Sequence, residues 1–138
     1  MKKTFCGVVL LVSMMLALSG CNNRTYHWEF EYDVNRIKEI KIVEAQDEFN
    51  YVTVKEIDSE YISELYFEIK NLEMKRYGSN LSAPHGMCFL ILFDNGEYDI
   101  IAKKESKHFK YRNGEITAYN SWLCCDKNQF ELLIDKYS

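Results

Sequence analysis

The chain has 138 residues, with 17 Lys and Arg against 21 Asp and Glu, and a single proline. An acidic balance without a basic run excludes nucleic-acid binding and a polybasic membrane patch, because both need clustered Lys and Arg to neutralise phosphates. A chain of this length supports one hydrophobic core.

Met1-Lys2-Lys3 supplies a short positive start, Val8 to Leu18 an uncharged apolar stretch, and Leu18-Ser19-Gly20 leads directly into Cys21. That order is the pattern of a secretory signal with a small-residue cleavage site. The apolar run gives way to Asn22-Asn23-Arg24, short of the roughly 20 apolar residues a transmembrane helix needs. Leu18-Ser19-Gly20-Cys21 resembles the lipobox of bacterial lipoproteins, in which an aliphatic residue, a small residue and Gly or Ala precede an invariant cysteine. The resemblance covers the signal segment alone. It implies that Cys21 receives a diacylglyceryl group, that residues 1–20 are removed, and that Cys21 becomes the mature N-terminus. The expected localisation is export, with lipid anchoring to the outer face of the cell membrane or, in a Gram-negative envelope, to the outer membrane. Two acyl chains at ~0.8 kcal/mol per buried methylene make such an anchor sufficient alone. The mature chain would keep 118 residues and lose two lysines, for a formal charge of −6. Residues 21–25 then read as the lipidated N-terminus and tether, and 26–138 as one domain.

Within that domain Tyr26, Trp28, Phe30 and Tyr32 alternate with His27, Glu29, Glu31 and Asp33. This period of two predicts a strand with its aromatic side facing the core. Asp33 to Arg36 is expected to turn the chain into a second strand, Ile37 to Val43, followed by a third, Phe49 to Glu56, the three forming a meander. Asp58 is placed to cap a helix whose stripe is Ile62, Leu65, Tyr66 and Ile69, with Ile57 and Ile62 as a hydrophobic staple. Residues 78–86, rich in Gly, Ser and Asn around Pro84, read as a loop. Met87 to Phe93 is continuously apolar and short, the signature of a central strand. Asn95-Gly96 is expected to join it to Tyr98–Ala102, and Asn113-Gly114 to join Phe109–Arg112 to Ile116–Trp122, each through a two-residue type I′ turn. Asp126, with Gln129 three residues on, begins a last helix with the stripe Phe130, Leu133, Ile134 and Tyr137. The fold class is α+β, a mainly antiparallel sheet with two amphipathic helices packed on one face.

Cys6 leaves with the signal and Cys21 is acylated, so Cys88, Cys124 and Cys125 remain. Three thiols allow at most one disulfide, which would join Cys88 to Cys124 or Cys125; otherwise all three are buried small hydrophobes. His85, Cys88, Cys124 and Cys125 do not have the spacing of a zinc site, since adjacent cysteines rarely face one ion. His27, His85 and His108 are candidate bases, but no Ser or Cys lies in a frame such as Gly-x-Ser-x-Gly and no Gly-rich phosphate loop is present. No catalytic residue, metal or cofactor is therefore expected. The domain reads as a non-enzymatic binding module for a protein or envelope ligand, of inhibitor, immunity or accessory type. The alternatives are a cell-wall hydrolase or transferase, and a sensory or assembly subunit of an envelope complex.

Overall fold

The computed structural model describes residues 24–47, 49–76, 83–120 and 123–138. The signal segment, Cys21, most of the expected loop at 78–86 and the expected strand end at Ser121-Trp122 lie outside them. Among the described residues no helix is long and apolar enough to cross a membrane.

The elements follow the hydrophobic pattern in most places. After a single 3-10 turn at Val34–Arg36 come β1 (Ile37–Ala45) and β2 (Tyr51–Glu56), then α1 (Ile62–Asn71) and β3 (Met74–Arg76). They are followed by β4 (Gly86–Phe93), β5 (Tyr98–Ala102), β6 (Lys107–Arg112), β7 (Glu115–Asn120), β8 (Leu123–Cys125) and α2 (Lys127–Tyr137). Six strands make one sheet in the order β2-β1-β4-β5-β6-β7, and β3 pairs with β8 in a second, two-stranded sheet. Every pairing is antiparallel. The α+β expectation therefore holds at the level of class, and the apolar Met87–Phe93 run does become an interior strand, between β1 and β5.

Alternation along the strands sorts side chains into two clusters. Ile40, Ile42, Phe89, Ile91, Phe93 and Ile101 join Leu65 and Ile69 of α1 and Phe130, Leu133, Ile134 and Tyr137 of α2 in the larger one. Val43, Ala45, Cys88, Ile100, Ala102 and Phe109 form the smaller one. Strands lie about 4.8 Å apart, so in a flat sheet β2 and β5 would be separated by roughly 14 Å. Yet Tyr51 and Tyr98 have ring centroids 6.1 Å apart, and Phe49 lies 5.8 Å from Phe109. The sheet curls about its second face and buries that face against itself. The two helices are joined by Lys136, which donates to Glu64 and Glu68, and by the Tyr137 hydroxyl, which donates to Glu68 Oε2 at 2.6 Å.

Three sequence expectations need correction. Tyr26 to Tyr32 is not a strand: only Tyr26 pairs, exchanging both backbone hydrogen bonds with Met74, and the three-strand meander reduces to the β1–β2 hairpin. The burial alternates as expected, with Trp28 buried and Tyr26, Phe30 and Tyr32 packed on the larger cluster. Period two shows which side of an extended chain is covered; it does not require a ladder partner. Second, Asp58 makes no side-chain cap. A 3-10 turn at Ser59–Tyr61 intervenes, in which the Asp58 carbonyl accepts from Tyr61, so α1 begins four residues later. Third, Asn113 and Gly114 have φ of +54° and +82°, as a type I′ turn requires, but at Asn95-Gly96 only Gly96 has positive φ. There the side chain decides: Asn95 Oδ1 accepts from the Glu97 amide and its Nδ2 donates to the Tyr32 hydroxyl, in a four-residue connection.

Asp126 caps α2 through bonds from the amides of Asn128 and Gln129. Gln129 does not reach back to complete a capping box. Its Oε1 instead accepts from the Glu73 amide, so the start of α2 is tied to the end of α1.

Candidate functional site

The segment 26–32 runs along the larger cluster and ends beside the β5–β6 pair. Trp28 is buried, Phe30 stacks on Tyr66 of α1 with centroids 4.4 Å apart, and Tyr32 meets Phe93 at 5.0 Å. This packing carries the intervening acidic residues outward and over β6. Glu31 arrives at the same point as His108 of β6, Asp99 of β5 and Glu97 of the β4–β5 connection.

Asp99 is opposite His108 in the antiparallel register, and its side chain is fully buried. Its Oδ2 accepts from Trp28 Nε1 at 2.8 Å, and its Oδ1 is hydrogen-bonded to His108 Nδ1. Burial raises the Asp99 pKa, against the hydrogen bond and charge of His108 and the bond from Trp28, which lower it; as a carboxylate Asp99 only accepts, so His108 Nδ1 then carries the proton and the ring orientation is set. The opposite nitrogen, Nε2, then points to Glu31 Oε2 at 2.8 Å and Glu97 Oε2 at 3.2 Å. The same Glu97 oxygen accepts from the Tyr32 hydroxyl at 2.7 Å. Burial pulls the His108 pKa down, but the hydrogen bond and charge of Asp99, joined by Glu31 and Glu97, outweigh it and leave the imidazole above its usual value. Among the described residues this is the one group of three or more His, Cys, Asp or Glu side chains placed to hold a metal ion: Glu31, Glu97 and His108, with ligand atoms within 4.8 Å of one another.

The cluster borders a cleft of about 410 Å³. One wall is the segment Tyr26 to Glu31, the other is His108, Lys110 and Tyr119 on β6 and β7, and Arg76 and Leu123 close the end. Lys110 Nζ lies 4.4 Å over the Tyr119 ring and 3.7 Å from Glu31 Oε1, while the Arg76 guanidinium covers Tyr26 at 5.4 Å. Both signs of charge and two ring faces are thus presented together. Among the described residues that line it there is no Ser, Thr or Cys; the groups that could act as nucleophiles there are the Glu29 and Glu31 carboxylates and the Tyr26 and Tyr119 hydroxyls.

Of the three candidate bases, only His108 joins the carboxylates Glu31, Glu97 and Asp99. His27 lines the cleft but is exposed, its Nδ1 at 3.1 Å from the Leu72 carbonyl, and His85 is exposed ahead of β4. Sequence reasoning did not single out Asp99 or Glu97. The available signal was a lone carboxylate inside the otherwise uncharged strand Tyr98–Ala102, since a charge there is buried and needs a partner.

Cys88, Cys124 and Cys125 are free thiols. Cys88 is the cross-strand partner of Ala102, whose carbonyl accepts from the Cys125 thiol, so these two flank one residue. Burial pushes both up to about 12, while Cys124 is half-buried and donates to the Lys75 carbonyl. In the folded protein at pH 8 an alkylating reagent is expected to modify Cys124 first and to reach Cys88 and Cys125 only on unfolding, because the thiolate is the nucleophile. Peptide mass spectrometry checks this. After denaturation without reductant all three should react, whereas a count of one would reveal a bridge.

No family model matches the chain, and no curated protein or solved structure matches it.

Proposed function

We propose that this is a membrane-anchored envelope lipoprotein whose domain is a non-catalytic binding module, with the cleft between residues 26–31 and β6–β7 as its ligand site. The observation that carries the reading is the cleft itself: two aromatic faces, paired charges and a fixed imidazole presented together. A concave site in which aromatic rings sit beside oriented polar and charged groups is a usual place for recognition. Both helices are read as covering one face of the large sheet; their shared contribution to the larger cluster supports this. The anchor reading rests on the lipobox resemblance at Leu18–Cys21. Tyr26 is five positions beyond Cys21, and at about 3.3–3.6 Å per extended residue the cleft wall starts within roughly 18 Å of the lipid. The ligand therefore belongs at or near the membrane surface: an envelope protein or another envelope component.

Two experiments test the reading. Wild-type precursor should incorporate labelled palmitate and be processed before Cys21, and Cys21→Ser should do neither; an acylated and cleaved mutant would remove the anchor. For the cleft, a photo-crosslinking residue at Tyr119 should capture an envelope component in cells, and the same residue at exposed Leu132 should not. Release of soluble fragments from isolated cell wall by the purified protein would instead establish the hydrolase alternative.

A further inference from the structure

We propose that Glu31, Glu97 and His108 form a binding site for one divalent transition-metal ion of the zinc class at the edge of the cleft. The proposal goes beyond the lipoprotein reading and does not depend on the anchor.

The geometry is that of a metal site with its outer support already built. His108 Nε2 faces two carboxylate oxygens, at 2.8 and 3.2 Å. Carboxylates only accept, so the point between them takes either the Nε2 proton or a metal ion that displaces it. Zinc bonds of about 2.0–2.2 Å in a tetrahedron put neighbouring ligand atoms roughly 3.4 Å apart. The separations of 2.8 and 3.2 Å would therefore open by about 0.6 and 0.2 Å. Metal-bound histidines almost always donate their other ring N–H to a carboxylate or carbonyl, which fixes the tautomer. Asp99 does this for His108, and it is held in turn by Trp28 Nε1 at 2.8 Å. Glu97 is likewise fixed by the Tyr32 hydroxyl at 2.7 Å.

The ligands come from three separate parts of the chain. Their side chains grade from 11% exposed at His108 and 14% at Glu97 to 47% at Glu31, so the inner ligands are rigid while the outer one borders solvent and an ion can enter. One imidazole with two carboxylates favours zinc, and also manganese or iron, over magnesium and calcium, which take all-oxygen shells. Three protein ligands leave a fourth position, on the cleft side, for water or a ligand group.

The test is equilibrium dialysis of the purified full chain against Zn²⁺, with Mg²⁺ and Ca²⁺ in parallel and bound metal measured by mass spectrometry. One zinc ion per chain is expected at micromolar free zinc, with no retention of Mg²⁺ or Ca²⁺. Glu31→Gln alters a side chain nearly half exposed and should stay folded while losing at least tenfold in affinity. His108→Ala should abolish binding. Asp99→Asn, a positioning variant, should weaken it by ten- to a hundredfold. His85→Ala and Cys124→Ala should bind as wild type. Absence of zinc binding by the wild type would mean that a proton alone fills the position. Equal binding by folded Glu31→Gln, or loss in the Cys124 variant, would place the ion elsewhere. Each of these results would overturn the proposal and leave the lipidation result unchanged.

Discussion

Replacement of Asp99 by alanine is expected to lower the unfolding free energy by about 3–5 kcal/mol, the usual cost of removing one partner from a buried ion pair. The carboxylate is fully buried and takes bonds from Trp28 and His108 on its two oxygens. Alanine leaves the indole N–H and His108 Nδ1–H without acceptors, and a buried orphaned donor costs about 1–3 kcal/mol. It also leaves His108 held only by the outer carboxylates, Glu31 and Glu97. Because Trp28 secures the segment 26–32, the cleft wall should loosen together with the core. Asp99→Asn retains an acceptor of the same shape and should cost less, about 1–3 kcal/mol. Urea unfolding followed by tryptophan fluorescence measures both. An Asp99→Ala chain within 1 kcal/mol of wild type would show that the segment is held by apolar packing alone.

Phe89→Ala is expected to be comparably damaging, at about 3–5 kcal/mol. Phe89 is fully buried in β4, near the middle of the large sheet, and its ring meets Phe130 of α2 edge to face at 5.8 Å. Truncation leaves a cavity between sheet and helix that neither can close without breaking the β1–β4 or β4–β5 ladder. Domains of this size are stable by only about 5–15 kcal/mol, so the variant should be partly unfolded near physiological temperature. Leu132, on the outer side of the same helix and 69% exposed, is the control: Leu132→Ala should stay within about 0.5 kcal/mol of wild type. A Phe89→Ala midpoint matching that of Leu132→Ala would place α2 away from β4.

The difference between these two positions shows what was legible in the sequence. Phe130, Leu133, Ile134 and Tyr137 recur at helical spacing, and the structure buries all four. Met87–Phe93 is apolar without a break because β4 has buried residues on both of its faces, which a curled sheet requires. The turn at Asn113-Gly114 was legible because positive φ at two successive residues has few solutions. Asn95-Gly96 looked the same but folded differently, since the Asn95 amide engages Tyr32, 63 residues away in sequence. The short pairing of Met74–Arg76 with Leu123–Cys125 was not legible: three residues are too few to show a period, and the partners lie 49 apart at Lys75 and Cys124.

The candidate site was hidden for a related reason. Glu31 reads locally as the polar side of an extended segment, Glu97 as a turn residue and His108 as an unsupported histidine. Only the fold brings Glu31 to β6, across 77 positions of sequence, because buried Trp28 and the partly buried rings of Phe30 and Tyr32 fix where the segment lies. The signal that could be read in advance was Asp99 alone, a charge in the middle of a buried strand.

Both the cleft and the cation site depend on Asp99 holding His108 so that Nε2 meets Glu31 and Glu97. Nitrogen-15 NMR of the imidazole ring measures this directly. The expected spectrum shows a slowly exchanging Nδ1–H at His108, protected by the buried Asp99 carboxylate and lost in Asp99→Ala, with His27 and His85 exchanging rapidly in the same sample. A His108 ring whose Nδ1–H exchanges as fast as those of the exposed histidines, or whose tautomer does not respond to Asp99 substitution, would contradict the account.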